Sequence, residues 1–301
     1  MDWLFISLTE GELFAWEETI GNGFYVISIG FFAFEIVRYL VQKRFSWTLA
    51  GDSATNFLTQ ILSVGINAVA FAVFYFAALA FFHRFALFDI SVTWTTVLLC
   101  VVLADLMYYW EHRFSHRVGL AWATHTVHHS SPHFNISVAY RFGPMDGFWP
   151  LFFHIPLVIV GFSPIVVLVA ELFVLTYQTL LHTETIGKLP KPIEFIFNTP
   201  SHHRVHHGAN EEYIDKNYGG VFIVWDRLFG TFAEERADVV FGVTEPLKSV
   251  NPFVVFFHGF TRLWRDVKHT PGWGNKLAVL IKPPGWRPSP TGVLRPQRAE
   301  T

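Results

Sequence analysis

Long apolar runs, separated by short polar or glycine- and proline-bearing stretches, dominate the first two thirds of the chain. A helix needs about 20 apolar residues to cross about 30 Å of hydrocarbon. Three runs meet that length, at about 24–41, 57–82 and 92–110. A fourth, at about 148–181, is too long for one crossing and too short for two ordinary ones, and Gly161-Phe-Ser-Pro164 interrupts it near its middle. Such punctuation turns or breaks a helix, so this run predicts a helical hairpin that enters and returns on one side. The expected fold class is an all-α integral membrane protein with about three transmembrane helices plus a helical hairpin.

The polar segments beside these runs carry most of the histidine. Eleven of the 15 histidines fall at His112, His116, His125, His128, His129 and His133, at His182, and at His202, His203, His206 and His207. His112 and His116 are four apart, and His125-x-x-His128-His129 and His203-x-x-His206-His207 repeat steps of three and four. On a helix such steps share one face, so each group offers imidazoles to a common point. A structural zinc is closed by four ligands and a catalytic one by three plus water. Eight ring nitrogens from three segments therefore point to two metals. Low-complexity histidine tracts lack this regularity.

Composition and charge set the surroundings. Apolar residues make up 51% of the chain, aromatics 18% and charged residues only 15%, outside the range of an ordinary soluble domain. Asp2, Glu10, Glu12, Glu17 and Glu18 precede the first run with no Lys or Arg, whereas Arg38, Lys43 and Arg44 follow at its end. That polarity is wrong for a signal peptide. By the positive-inside tendency the N-terminus faces out, and counting crossings brings all three histidine groups to the cytoplasmic face of a bacterial inner membrane or endoplasmic reticulum. We expect residues 1–282 to form one membrane-embedded domain, with 111–147 and 182–282 as its cytosolic metal cap, and 283–301 to be a flexible tail rich in Pro, Gly and Arg. The net charge of −2, without a basic patch, gives no footing for a nucleic-acid partner. Cys100 is the only cysteine, which leaves no disulfide within one chain and no cysteine-based site.

Imidazoles suit iron, zinc, copper and nickel alike. A metal pair beneath apolar helices is placed to act on a lipid, and breaking an unactivated C–H bond calls for O₂ chemistry, which redox-inert zinc does not supply. Two Fe ions fit that demand. Rival classes fare worse: a zinc hydrolase of the His-Glu-x-x-His kind needs a Glu that neither pair encloses, and a metal transporter would carry its ligands inside the spans.

The motifs His112-Arg-Phe-Ser-His116, His125-Thr-Val-His128-His129 and His203-Arg-Val-His206-His207 resemble the three histidine boxes of the fatty acid hydroxylase and sterol desaturase superfamily. The stretches Asn198–Gly208, Ile214–Tyr218, Trp225-Asp226 and Phe229–Phe232, with Tyr108–Trp110, His128–Ser131 and His182-Thr-Glu184, are most similar to its alkylglycerol monooxygenase branch. The resemblance covers roughly residues 35–286. It implies a membrane di-iron monooxygenase that uses O₂ and electrons from a tetrahydropterin such as tetrahydrobiopterin, or from another donor or redox partner, to hydroxylate the carbon beside a glyceryl ether oxygen. The alternative it leaves open is hydroxylation of another membrane lipid (an ornithine lipid, a fatty acyl chain or a sterol) or desaturation. The eight box histidines are the implied iron ligands, and His182, arriving at the end of the hairpin, is a candidate ninth.

Around them we expect supporting residues. A metal-bound histidine usually gives its second N–H to a carboxylate or carbonyl. Asp105 lies on one helical face with Tyr109, His112 and His116, and Asp215, Asn217 and Asp226 follow the third box. Gln178 sits one turn before His182, and His202 adjoins the third box off its spacing. An acid within a span costs about 2.5–3.5 kcal/mol, so Glu35 and Glu171 need partners. Arg38 is the candidate for Glu35, and the sequence offers none for Glu171.

Overall fold

In the computed structural model, which describes residues 6–70 and 72–288, the chain is helical throughout, and pairing between extended segments among these residues is confined to isolated bridges. The expected tail lies outside the described residues from 289 onward, and 283–288 form a turn. Helix α1 (Glu10–Val41) starts at a capping box, in which Thr9 and Glu12 satisfy each other's backbone N–H groups. It is the one described helix long and apolar enough to cross a membrane unaided. Its outward residues Val26, Ile27, Ile29 and Val37 are exposed.

The second expected span is covered by α2 (Trp47–Ala70) and α3 (Ala72–His83), on either side of residue 71, which lies outside the described residues. The third is the upper part of α4 (Trp94–Arg117), which opens on a Thr93/Thr96 capping box and runs on past the apolar stretch into the first histidines. The fourth is the hairpin, α6 (Pro150–Val160) and α7 (Pro164–Thr179), each with Pro in its first turn. At its tip Gly161 has φ 130°, and a Cβ there would stand 2.1 Å from the Phe88 carbonyl oxygen. Leu87 and Phe88 donate to the carbonyls of Ile159 and Val160, so the tip is pinned to the loop before α4. Both hairpin feet return to the histidine end of α4.

Helix α4 is the centre of the packing. It meets α6 and α7 on one side through Val97, Cys100, Ala104, Leu157, Val158 and Ile165, and α5 (Gly119–His129) at its lower end. Helix α11 (Pro252–His269) lies along α5 so closely that a Cβ on Gly259 would fall 2.1 Å from the Ala123 carbonyl oxygen. Short α8 (Lys191–Ile196), α9 (Pro200–His206) and α10 (Val224–Phe229) close the lower end, and α12 (Trp273–Ile281) covers Gly119.

Both acids in the apolar runs have partners, one of them unexpected. Glu35 does not form the expected ion pair with Arg38. It accepts from Ile136 N at 2.8 Å and Thr183 Oγ1 at 2.5 Å, while Arg38 donates to the Glu184 carbonyl at 3.4 Å. The loop after the second box and the residue after His182 each supply a donor to the carboxylate, and these outweigh a neighbour on an exposed helix face. Glu171 lies 2.5 Å from Nε2 of the fully buried His154, whose Nδ1 meets the Tyr75 hydroxyl.

Candidate metal centre

All nine predicted ligand histidines come together, in two groups. His112, His116, His125, His129 and His206 form one, and His128, His182, His203 and His207 the other, with the nitrogens of each group within 4.8 Å of one another. The helical spacing explains the division. Each His-x-x-His-His motif gives its first and last histidine, four apart, to one group and its middle one, three apart, to the other. The groups consequently share a wall, where the rings of His129 and His207 stack with centroids 4.4 Å apart.

Local structure delivers each set. Helix α9 begins at Thr199, whose hydroxyl caps His202 N, with Pro200 at the first helical position. Buried Arg204 fastens α9 through Glu235, at 2.7 and 2.8 Å, and through the carbonyls of Thr183 and Ile186. Arg141, 1% exposed, ties the end of α5 to α2 by donating to the Val127 carbonyl, Ser130, Asp52 and Asn56. The box histidines sit in or just after the C-terminal turns of α4, α5 and α9, where unpaired carbonyls favour positive charge.

The donor set fits metal ions. Nε2 atoms face each other at 3.1 Å (His112–His125), 3.1 Å (His206–His129), 3.2 Å (His182–His128) and 2.9 Å (His203–His182). Two nitrogens at right angles, each ~2.1 Å from a common ion, stand ~3.0 Å apart. His116 Nε2 and His207 Nε2 are buried with no hydrogen-bond partner. Burial above all, with the neighbouring imidazoles, holds His112, His125, His128, His129, His203, His206 and His207 well below the usual histidine range, and burial brings His182 to about 4. These rings are neutral at pH 7, the form that ligates.

Three of the second ring nitrogens are held by carbonyls. His112 Nδ1 faces Tyr218 O at 2.9 Å, His206 Nδ1 faces Lys216 O at 2.9 Å, and His182 Nδ1 faces Gln178 O at 3.0 Å. His116 Nδ1 is the exception, 3.7 Å from Asp215. Burial raises that carboxyl, but His116 and Arg117 outweigh it and bring it to about 2.

Asp215 thus meets a ligand histidine as expected, whereas Asp105 and Asp226 stand one step further out. Asp105 receives no histidine N–H. It accepts from Val221 N at 2.5 Å, Phe222 N at 3.0 Å and Trp225 Nε1 at 2.8 Å. Asp226 takes the other side of the same loop, accepting from Tyr218 N at 2.8 Å, Gly219 N at 2.7 Å and Thr231 Oγ1 at 2.6 Å. Burial lifts its carboxyl to about 6 despite those bonds. Asn217, at φ 57°, bridges the carbonyls of His202 and Ala233. His202 belongs to neither group; it turns to Glu194 at 2.9 Å. Gln178 serves His182 through its backbone. Glu111, directly before the first box, is a half-buried acid with a buried Oε2 that the sequence reading passed over, although its place beside His112 was visible.

A helical scaffold that gathers nine neutral imidazoles into two adjoining groups is a protein equipped to hold metal. Residues 97–231 match the Fatty acid hydroxylase family model. The chain is similar to the fatty acid hydroxylase family over these residues, as its three boxes lead one to expect. It is 39% identical over 266 residues to alkylglycerol monooxygenase of Homo sapiens, covering 85% of this chain and 59% of that protein. It is 44% identical over 208 residues to alkylglycerol monooxygenase of Danio rerio, covering 69% and 46%. An ornithine lipid hydroxylase of Rhizobium tropici is 31% identical over 137 residues, covering 45% and 41%. The chain thus spans about half the length of these curated relatives. No solved structure matches.

Proposed function

We propose that the chain is a membrane-embedded di-iron monooxygenase that cleaves glyceryl ethers by hydroxylating the carbon next to the ether oxygen. The observation that carries this reading is the double histidine group at the foot of apolar helices, in a chain 39% identical over 266 residues to alkylglycerol monooxygenase. His112, His116, His125, His129 and His206 would hold one iron, and His128, His182, His203 and His207 the other. Bound iron supplies the O₂ activation that abstraction from an unactivated C–H bond requires. The protein's share is to keep the imidazoles neutral, to fix their tautomers through Tyr218, Lys216 and Gln178, and to bring the lipid carbon alongside.

Residues 1–282 act in this reading as one domain, with α1, α2–α3 and the upper part of α4 crossing the bilayer, the hairpin entering from below, and the metal centre on the cytoplasmic face. The exposed apolar residues of α1 support lipid contact, as do Leu98 and Leu99 on α4 and Phe173 on α7. Electrons come from a tetrahydropterin or from another donor. The test supplies membranes carrying wild type or His206→Ala with an alkylglycerol, a tetrahydropterin and O₂, and measures products and bound iron. Aldehyde formed by wild type alone, with iron lost in the variant, is the expected result; full turnover by His206→Ala refutes the assignment. The likeness to the ornithine lipid hydroxylase favours a second reading, hydroxylation of another membrane lipid, which would appear as a lipid gaining one oxygen without aldehyde.

A further inference from the structure

Close to the first histidine group lie polar side chains that neither hold a metal nor brace a ligand. Tyr108 and Glu111 project from α4 and Gln178 from α7. The Tyr108 ring stands 5.2 Å from the His112 ring, and its hydroxyl interacts with Gln178 and lies within the field of Glu111. Tyr108 and Glu111 are half-buried.

Two of these groups lack what buried polar atoms almost always have. Glu111 Oε2 is buried with no hydrogen-bond donor, and Gln178 Nε2, on a residue 5% exposed, is buried with no acceptor. The like-signed Glu171 and Asp146 act on Glu111, and among the described residues no cation forms an ion pair with it. An unused acceptor and an unused donor on either side of a tyrosine hydroxyl ask for a ligand that both donates and accepts. An ammonium group would satisfy the carboxyl and leave the amide N–H unpaired. A hydroxyl or ether oxygen serves both.

We propose that Tyr108, Glu111 and Gln178 seat the glycerol end of a glyceryl ether, its hydroxyls donating to Glu111 and an oxygen accepting from Gln178. The inference rests on the ether-lipid reading above and narrows it to a position. The hydroxyl on the second glycerol carbon is four bonds, each about 1.5 Å, from the carbon that is oxidised. Glu111 and the ligand His112 are consecutive residues, about 3.8 Å apart at Cα. The Tyr108 ring, one turn before His112, stands 5.2 Å from that ligand's ring, so a headgroup held beside Tyr108 and Glu111 sets the carbon beside the ether oxygen next to the first histidine group and keeps mid-chain carbons away.

The test measures equilibrium binding of 1-O-hexadecylglycerol, and of its analogue with both hydroxyls methylated, to the purified full chain. Wild type should prefer the free diol by about tenfold, the scale of one hydrogen bond to a group otherwise left unpaired. Glu111→Leu should lose that preference, and Glu111→Gln, which keeps a carbonyl acceptor, should restore most of it, with iron content equal in all three. Diol binding undiminished in Glu111→Leu overturns the proposal. So does a loss as great in Glu111→Gln, which would mark charge pairing with an amine-bearing lipid. If wild type binds the diol selectively but forms no aldehyde, the seat stands and the cleavage reading falls; turnover of both ethers at equal KM gives the reverse.

Discussion

Replacing Asp226 with Asn changes one atom and tests the support of the metal centre. Asp226 is fully buried, and its two oxygens hold three donors: Tyr218 N and Thr231 Oγ1 on Oδ1, and Gly219 N on Oδ2. An amide can keep the first oxygen, but it sets an NH₂ against the Gly219 N–H. A buried donor without an acceptor costs about 1–3 kcal/mol, and that is the expected loss of stability. The consequence for the metal is separate. The Tyr218 carbonyl, which fixes His112 Nδ1 at 2.9 Å, belongs to the displaced peptide, so His112 loses its orientation. Disturbing such a support lowers metal affinity about 10–100-fold. Iron retained per chain through a graded chelator series, together with thermal unfolding, reads both effects. Thr231→Val serves as the control: it removes a bond to Asp226 but leaves the loop's N–H groups paired. Wild-type iron retention and unchanged unfolding in Asp226→Asn would falsify the role given to this loop.

Acidification should release the metals before the helices unfold. Histidines free in an unfolded chain take up protons near pH 6.5, whereas the grouped rings resist, His182 down to about 4, so stability present above about 6.5 is lost as the pH falls toward about 4. Iron content after gel filtration across that window checks this; full retention at its lower end contradicts it. Gly259→Ala should destabilise the protein by about 1–3 kcal/mol, because its Cβ would lie 2.1 Å from the Ala123 carbonyl oxygen and force α11 off α5. Unfolding temperature and iron content should fall together, and a neutral effect would mean that α11 does not hold the second box. For topology, Cys100 is fully buried, which leaves a quiet background for labelling exposed Gln42→Cys and Asp89→Cys. The first should react only from the cytoplasmic side and the second only from the other; labelling of both from one side breaks the assigned crossings.

Periodicity made much of the architecture legible. The apolar runs gave α1, α4 and the hairpin, and Gly161–Pro164 marked the turn, because glycine and proline constrain a backbone whatever surrounds it. Among the ligands, steps of three and four are local geometry, so the three boxes could be read directly, and His182 followed from its place at the hairpin's foot. The supports were legible only in part. A carboxylate is visible in a sequence, and of the natural choices to meet imidazole N–H groups Asp215 reaches His116, whereas Asp105 and Asp226 bind the loop instead. Carbonyls carry no letter of their own, so Tyr218 O and Lys216 O could not be chosen from among all the others. Glu35 shows the same limit: its donors, Ile136 N and Thr183 Oγ1, lie 101 and 148 residues away.

The step of three within each His-x-x-His-His motif does more than add a ligand. Residues three and four apart on a helix share a face but diverge sideways, so His128 leaves the group that His125 and His129 serve, and His206 leaves that of His203 and His207. Two helices therefore each contribute to both groups, and the separation between metals is fixed by helical geometry in α5 and at the end of α9, not by the reach of a loop. Moving either helix must shift both groups at once. Arg141, which grips the end of α5 from a later segment, and Arg204 on α9, each with four hydrogen bonds, thus act on the spacing of the pair as much as on any single ligand. Loosening either arginine should therefore weaken both metals together, whereas loosening the Asp226 loop, which reaches His112 and His206 of the first group, should weaken that group and leave the second intact.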